Sequence, residues 1–165
     1  ARGRIPEFMR NNALPVVAED GAVWLYLQTE ETLHRYAADG TLRASAQVTM
    51  PEAAAIREAF FRWNVENPPG DALRFPTYVQ DGQTVADGVW LLWDTTGAQP
   101  GLVTLHDREG RVRWRLLLPG LEAEGLMMPR SFAVDLQRAT LYLADFFTAA
   151  VLAYEIPPEV AGWAR

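Results

Sequence analysis

Between residues 128 and 157 the chain reads MPRSFAVDLQRATLYLADFFTAAVLAYEIP, and apolar and polar positions there alternate with a period of two. Residues 131–134 predict a strand that ends in the polar turn Asp135-Leu136-Gln137-Arg138. Residues 140–144 set Leu141 and Leu143 against Tyr142. After a second break at Asp145, residues 150–156 alternate Val151, Ala153 and Glu155 with Leu152, Tyr154 and Ile156. Successive side chains of a strand face opposite sides of its sheet, so short period-two runs bounded by Asp, Gly and Pro predict an antiparallel meander.

Two looser copies of this pattern precede it. In the first, from residue 14, Asp20-Gly21 marks a turn, 23–27 and 33–37 are strands, and Asp39-Gly40 turns into a fourth strand over 41–48. In the second, Asp87-Gly88 matches Asp20-Gly21, Val89-Trp90-Leu91 matches Val23-Trp24-Leu25, and Glu109-Gly110 matches Asp39-Gly40. Gln28, Asp94 and Asp145 then fall at one equivalent position after the second strand. Four-stranded units recurring at about 40–50 residues are the mark of a β-propeller. The fold class expected is all-β: a partial propeller of about three four-stranded antiparallel blades, over 14–48, 75–118 and 129–157.

The insertion 49–70 departs from strand periodicity. Thr49 with Glu52 fits a capping box, Pro51 suits a first turn, and Asn67-Pro68-Pro69-Gly70 stops the run, predicting a helix over 51–66. Ile56, Phe60 and Trp63 share one face of it, with Phe61 alongside. That face packs on the propeller rim, plugs one mouth of its channel, or docks a partner. Residues 1–13 lack periodicity, 119–128 form a linker, and Pro157-Pro158 leads into a short tail with Trp163.

Composition narrows the function classes. A net charge of −6 with 15 arginines and no lysine argues against nucleic acid, whose phosphates reward a basic footprint. The absence of cysteine excludes disulfides, thiolate nucleophiles and iron–sulfur ligation. No apolar run reaches the roughly 18–20 residues that span a bilayer, although association with a membrane-bound complex stays open. ARGRIPEFMRNN lacks the apolar core of a secretory leader.

The repeat VVAEDGAVWLYL…LHRYAADGTLR, the helical insertion, and FPTYVQDGQTVADGVWLLWD…LVTLHDREGRVRWRLLLPG together resemble the C-terminal half of bacterial six-bladed β-propellers of the NHL-like or TolB-like type. The resemblance covers about 14–157. It implies a propeller fold and no particular reaction. Three blades do not close a ring, so an arc of three leaves two sheet faces to be covered by further chain, a second copy or another protein.

Little chemistry stands out. His34 aligns with Thr104 and His106 with Tyr36, which we read as different alternation faces and isolated strand histidines, with no shared metal. Ser45 and Ser131 lack the surroundings of a nucleophile. Glu19, Asp20, Asp87 and Asp135 read as turn formers, and Gln28, Asp94 and Asp145 as caps of the hairpin that follows. Neither catalytic residues, nor a cofactor, nor a metal is expected. Protein-binding candidates are Phe60, Phe61 and Trp63 on the helix, the row Arg111, Arg113 and Arg115 on an outer strand, and Phe146-Phe147 at a hairpin tip. That row reads either as a partner surface or as a solvated edge that discourages strand pairing.

The expectation is a non-catalytic binding or scaffolding propeller, an accessory subunit of a larger bacterial assembly outside the cytoplasm. It is held by protein partners or a second copy, and nucleic acid is excluded. The alternatives are a metal-dependent lactonase of the gluconolactonase or paraoxonase kind, which resembles metal-assisted hydrolysis in a propeller channel, and a small-ligand sensor.

Overall fold

The period-two runs fold into three antiparallel meanders. The computed structural model describes residues 12–66, 77–94, 101–118, 129–145 and 149–164, with backbone only at 63, 64 and 129. Blade 1 comprises β1 (Ala13–Val17), β2 (Val23–Leu27), β3 (Thr32–Tyr36) and β4 (Leu42–Gln47), hydrogen-bonded in chain order. Blade 2 repeats the plan with β5 (Val79–Val85), β6 (Gly88–Trp93), β7 (Gly101–Asp107) and β8 (Val112–Leu118). Blade 3 contains β9 (Pro129–Asp135), β10 (Thr140–Asp145) and β11 (Val151–Glu155).

The first strands β1, β5 and β9 run side by side, and the sheets stack face to face away from them. One apolar layer joins Trp24, Tyr26 and Leu33 of blade 1 to Val89, Leu91, Trp93 and Leu102 of blade 2. A second joins Trp90, Leu92, Val103 and Leu105 of blade 2 to Phe132, Leu141 and Leu143 of blade 3. Sheets layered in this way, each starting at a shared inner row of strands, are propeller blades.

Blade 3 departs from the repeat twice. Its sheet has, among the described residues, the three strands that the pattern of 128–157 predicts, one fewer than the four-stranded plan of the other blades. The residues read as a tail form the short helix α2 (Pro158–Ala164), which buries Val160, Ala161 and Ala164 in the second layer. Its Trp163 ring lies 5.6 Å from that of Trp114 on β8. The helix thus covers apolar surface at the outer strand of blade 2, a place that a fourth strand would otherwise shield.

The equivalence of Asp145 with Gln28 and Asp94 also fails. Counting back four residues, Trp24, Trp90 and Leu141 should match, yet Trp24 and Trp90 point to the following blade and Leu141 points back to blade 2. The hydrogen bonding explains it. Gln28 N–H bonds Asn12 C=O, so the even residues of β2 bond to β1, whereas Asp145 N–H bonds Ala150 C=O, so Leu141 and Leu143 bond away from β9. In an L-amino-acid strand the direction of the backbone bonds fixes the side-chain face, so this one-residue slip exchanges the two faces.

Turn chemistry follows the sequence. Asp20, Asp39 and Asp135 each accept backbone N–H groups within their own turns. Gly110 has φ +82°, and a Cβ there would come within 2.8 Å of the Ala46 Cβ of blade 1, so both conformation and space demand glycine. Gly88, matched to Gly21 by sequence, is glycine for another reason. It lies within β6, where a Cβ would meet the His106 carbonyl oxygen at 1.9 Å.

The insertion forms α1 (Pro51–Glu66). Ala53 and Ile56 enter the first apolar layer together with Val48 and Met50. The capping box gives way to tertiary pairing: Met50 precedes the first helical residue, and Glu52 pairs with Arg115 of β8. Arg57 pairs with Glu31 in the β2–β3 loop, so ion pairs tie the helix to both blades.

Candidate functional site

Polar side chains bridge the seams between blades. Gln28, 3 % exposed, donates from Nε2 to Val79 C=O at 2.7 Å. Its Oε1 accepts from the N–H groups of Tyr78 and Val79 at 2.7 and 3.1 Å. The residue thus clamps the entry to β5, some 50 positions away, and does not cap the hairpin that follows it. Gln83 repeats the motif one seam on: its Oε1 accepts from Val134 N–H at 2.8 Å and its Nε2 donates to Val134 C=O at 3.3 Å. Asp81 accepts from Phe132 N–H across the same seam, and within blade 2 Asp94 accepts from Gln80 Nε2 at 2.6 Å. An amide side chain can meet both a backbone donor and a backbone acceptor, so it extends backbone bonding across a seam that has no strand ladder.

Inside blade 2 a chain of hydrogen bonds runs from indole to backbone. Trp93 Nε1–H donates to Thr104 Oγ1 at 2.8 Å, Thr104 Oγ1 lies 2.8 Å from His106 Nε2, and His106 Nδ1 lies 3.1 Å from Gly110 O. Gly110 O accepts only, so the imidazole proton sits on Nδ1, and the Thr104 hydroxyl donates to Nε2. His106 is therefore a fully bonded core residue and not an isolated one. The reading of the two histidines as opposite in phase is also corrected: Thr104 and His106 lie two apart on β7, so His34, the Thr104 equivalent, occupies the same face of its own sheet as His106 does. One full blade separates them.

Burial pushes the His106 imidazole down to about 4, against a smaller opposing pull from the Gly110 carbonyl and Asp107. The folded protein then binds this proton less readily than the unfolded chain, whose value is 6.5. The stabilisation is complete above pH 6.5 and is lost as pH falls toward 4. We expect the unfolding free energy to drop by about 3 kcal/mol over that window from this group alone. Denaturant titrations at pH 7, 5 and 4 check it against His106→Gln. A wild-type decline no steeper than the variant's would count against it.

The arginine row is neutralised in place. Arg111 and Arg113 both reach Asp107 Oδ2, at 3.0 and 2.9 Å, Arg111 also meets Glu109 at 2.8 Å, and Arg115 pairs with Glu52. Burial would raise the Asp107 carboxyl, but hydrogen bonds from the Arg111 backbone and guanidinium, with its charge, hold it below the ordinary range. On α1, Phe60 and Phe61 are half-buried with ring centroids 5.2 Å apart. The Trp63 side chain and both Phe146 and Phe147 lie outside the described residues. Among the described residues no three His, Asp or Glu side chains converge as a metal ion would need.

Two surfaces complete the picture. The outward face of blade 1 carries Val23, Leu25 and Leu27 half-buried, with Val17 65 % and Leu42 49 % exposed. Their counterparts in blade 2, Val89, Leu91 and Trp93, are fully buried by blade 1. Between blades 1 and 2, where the β1–β2 and β5–β6 turns face one another, lies a cavity of about 350 Å³ bordered by Trp24, Arg35 and Arg108.

Fold and seams together define a segment of a β-propeller. No family model matches the chain, and no curated protein matches it by sequence. Among solved structures it is similar to virginiamycin B lyase from Staphylococcus aureus, at 12 % identity and TM-score 0.46, over 90 % of this chain and 42 % of that one. It is similar also to the WD40 domain of Neurospora crassa Pan2, at 10 % identity and TM-score 0.42, over 88 % and 38 % of the two chains. A streptogramin B lyase follows at 12 % identity and TM-score 0.34, over 90 % and 55 %. The chain thus spans less than half the length of the first of these.

Proposed function

We propose that this chain is the binding or scaffolding part of a six-bladed propeller, an accessory element of a bacterial assembly outside the cytoplasm. The observation that carries the reading is the outward face of blade 1. It has the hydrophobic phase of a blade interface, and side chains whose blade 2 counterparts are fully buried are left half-open there. What fits such a face is another antiparallel sheet with blade-like stagger, supplied by a partner protein or a second copy. Buried aromatic and aliphatic contacts would give the affinity. Phe60, Phe61, Trp63, Phe146 and Phe147 are further contact candidates, as is the row Arg111, Arg113, Arg115, whose charges are held in ion pairs.

The test is native mass. The particle should exceed 18.5 kDa, and Val17→Glu with Leu42→Glu should return it to that mass with an unchanged β-rich circular dichroism spectrum. Both side chains are exposed in the single chain, so charge there opposes association far more than folding. A wild-type monomer of 18.5 kDa, stable in solution, would overturn the reading.

A further inference from the structure

The cavity between blades 1 and 2 has an uneven charge inventory. Arg108 is already occupied: it pairs with Asp87 at 2.8 Å and donates to Ala86 C=O at 3.1 Å. Arg35 is different. Its guanidinium carbon stands 5.7 Å from the ring centre of Trp24, its cross-strand partner, and among the described residues no carboxylate lies within ion-pair distance. The indole restricts the arginine without neutralising it. On the same cavity, Glu19 has no cationic partner among the described residues, and Asp20 spends one oxygen on Ala22 N–H at 3.0 Å.

These charges select the ligand class. A simple anion attracted to Arg35 would also face Glu19 and Asp20, and a simple cation attracted to those acids would face Arg35. A molecule carrying both charges a few ångströms apart satisfies each side at once, which is complementarity by arrangement and not by net charge. The volume of about 350 Å³ is near the lower bound of small-molecule sites, roughly 300–1,000 Å³. Ala18, Ala22 and Val85 add an aliphatic wall.

From this we infer that the cleft binds a small zwitterion of the α-amino acid class. Arg35 takes the carboxylate, Glu19 and Asp20 take the ammonium, and the aliphatic wall receives the side chain. Both walls belong to one chain, so the inference stands apart from the assembly reading.

Titration calorimetry with leucine, serine and tyrosine, followed by N-acetyl-leucine and leucinamide, tests it on the unaltered chain. At least one free amino acid should bind, and each singly charged leucine derivative should bind at least about tenfold more weakly than leucine. Arg35→Met should abolish binding of the free amino acids. Glu19→Gln with Asp20→Asn should weaken leucine while leaving N-acetyl-leucine no weaker. N-acetyl-leucine as tight as leucine would show a plain anion site, and leucinamide as tight would show a cation site; either overturns the inference. So would the absence of heat from all three free amino acids at about 10 mM. The derivative series uses the native chain, so a folding defect in Arg35→Met cannot decide the result.

Discussion

Gln28→Leu should lower the unfolding free energy by about 3–6 kcal/mol, the larger of the two strongest substitution effects this structure predicts. Leucine fills nearly the same space but can neither donate nor accept. Tyr78 N–H, Val79 N–H and Val79 C=O all lose their Gln28 bonds in a seam where Gln28 is 3 % exposed. Each buried backbone group left unpaired costs roughly 1–3 kcal/mol, and their sum is a large share of a typical domain stability of about 5–15 kcal/mol. Equilibrium denaturation measures the loss. Hydrogen exchange locates it, since the amides of Tyr78 and Val79 should lose protection before those of β6 and β7. Gln28→Glu keeps both acceptor contacts and gives up the donor, so it should lie between wild type and leucine. A loss under about 1 kcal/mol in Gln28→Leu would show that water replaces the clamp, and the seam account would fall.

Thr104→Val is the second. The shape is conserved, but Trp93 Nε1–H loses its acceptor and His106 Nε2 its donor, both in positions without solvent access. Two orphaned groups predict a loss of about 2–5 kcal/mol, whereas Thr104→Ser, which keeps the hydroxyl and removes one methyl, should cost about 1 kcal/mol. The ordering matters more than the sizes. If serine and valine were equally damaging, methyl packing and not the hydrogen-bond chain would be the function of Thr104. A Thr104→Val, His106→Leu double variant should cost less than the sum of the single changes, because it removes the unpaired imidazole nitrogen along with its donor.

The sequence made much of the fold legible. Strand β2 and helix α1 fall where the pattern predicts them, and Asp20, Asp39 and Asp135 act as turn formers. The site was far less legible. Gln28 drew notice because of its place after a strand, but its true partners lie 50 and 51 positions on, and no local pattern reports them. The Thr104-x-His106 pair was visible as two polar residues on one face of an apolar strand, and that was a usable sign: a buried face tolerates such residues only when they bond one another. The arginine row was visible in the sequence, but of its neutralising partners Asp107 ends the neighbouring strand β7 and Glu52 comes from a distant helix.

What the sequence determined by itself was therefore local: period-two strands, Asx turns, a helix begun by Pro51, and a repeat that makes propeller blades. Each rests on interactions within a few residues, so the order of side chains along the chain is enough. The tertiary structure alone decided which face of each blade meets which neighbour, turning Leu141 and Leu143 back toward blade 2 and putting α2 beside β8. It alone brought Arg35, Glu19 and Asp20 around one cavity. A strand presents two nearly interchangeable faces, and a single-residue change in backbone pairing exchanges them. Only pairing across a seam, where burial and hydrogen bonding are settled together, can choose between them.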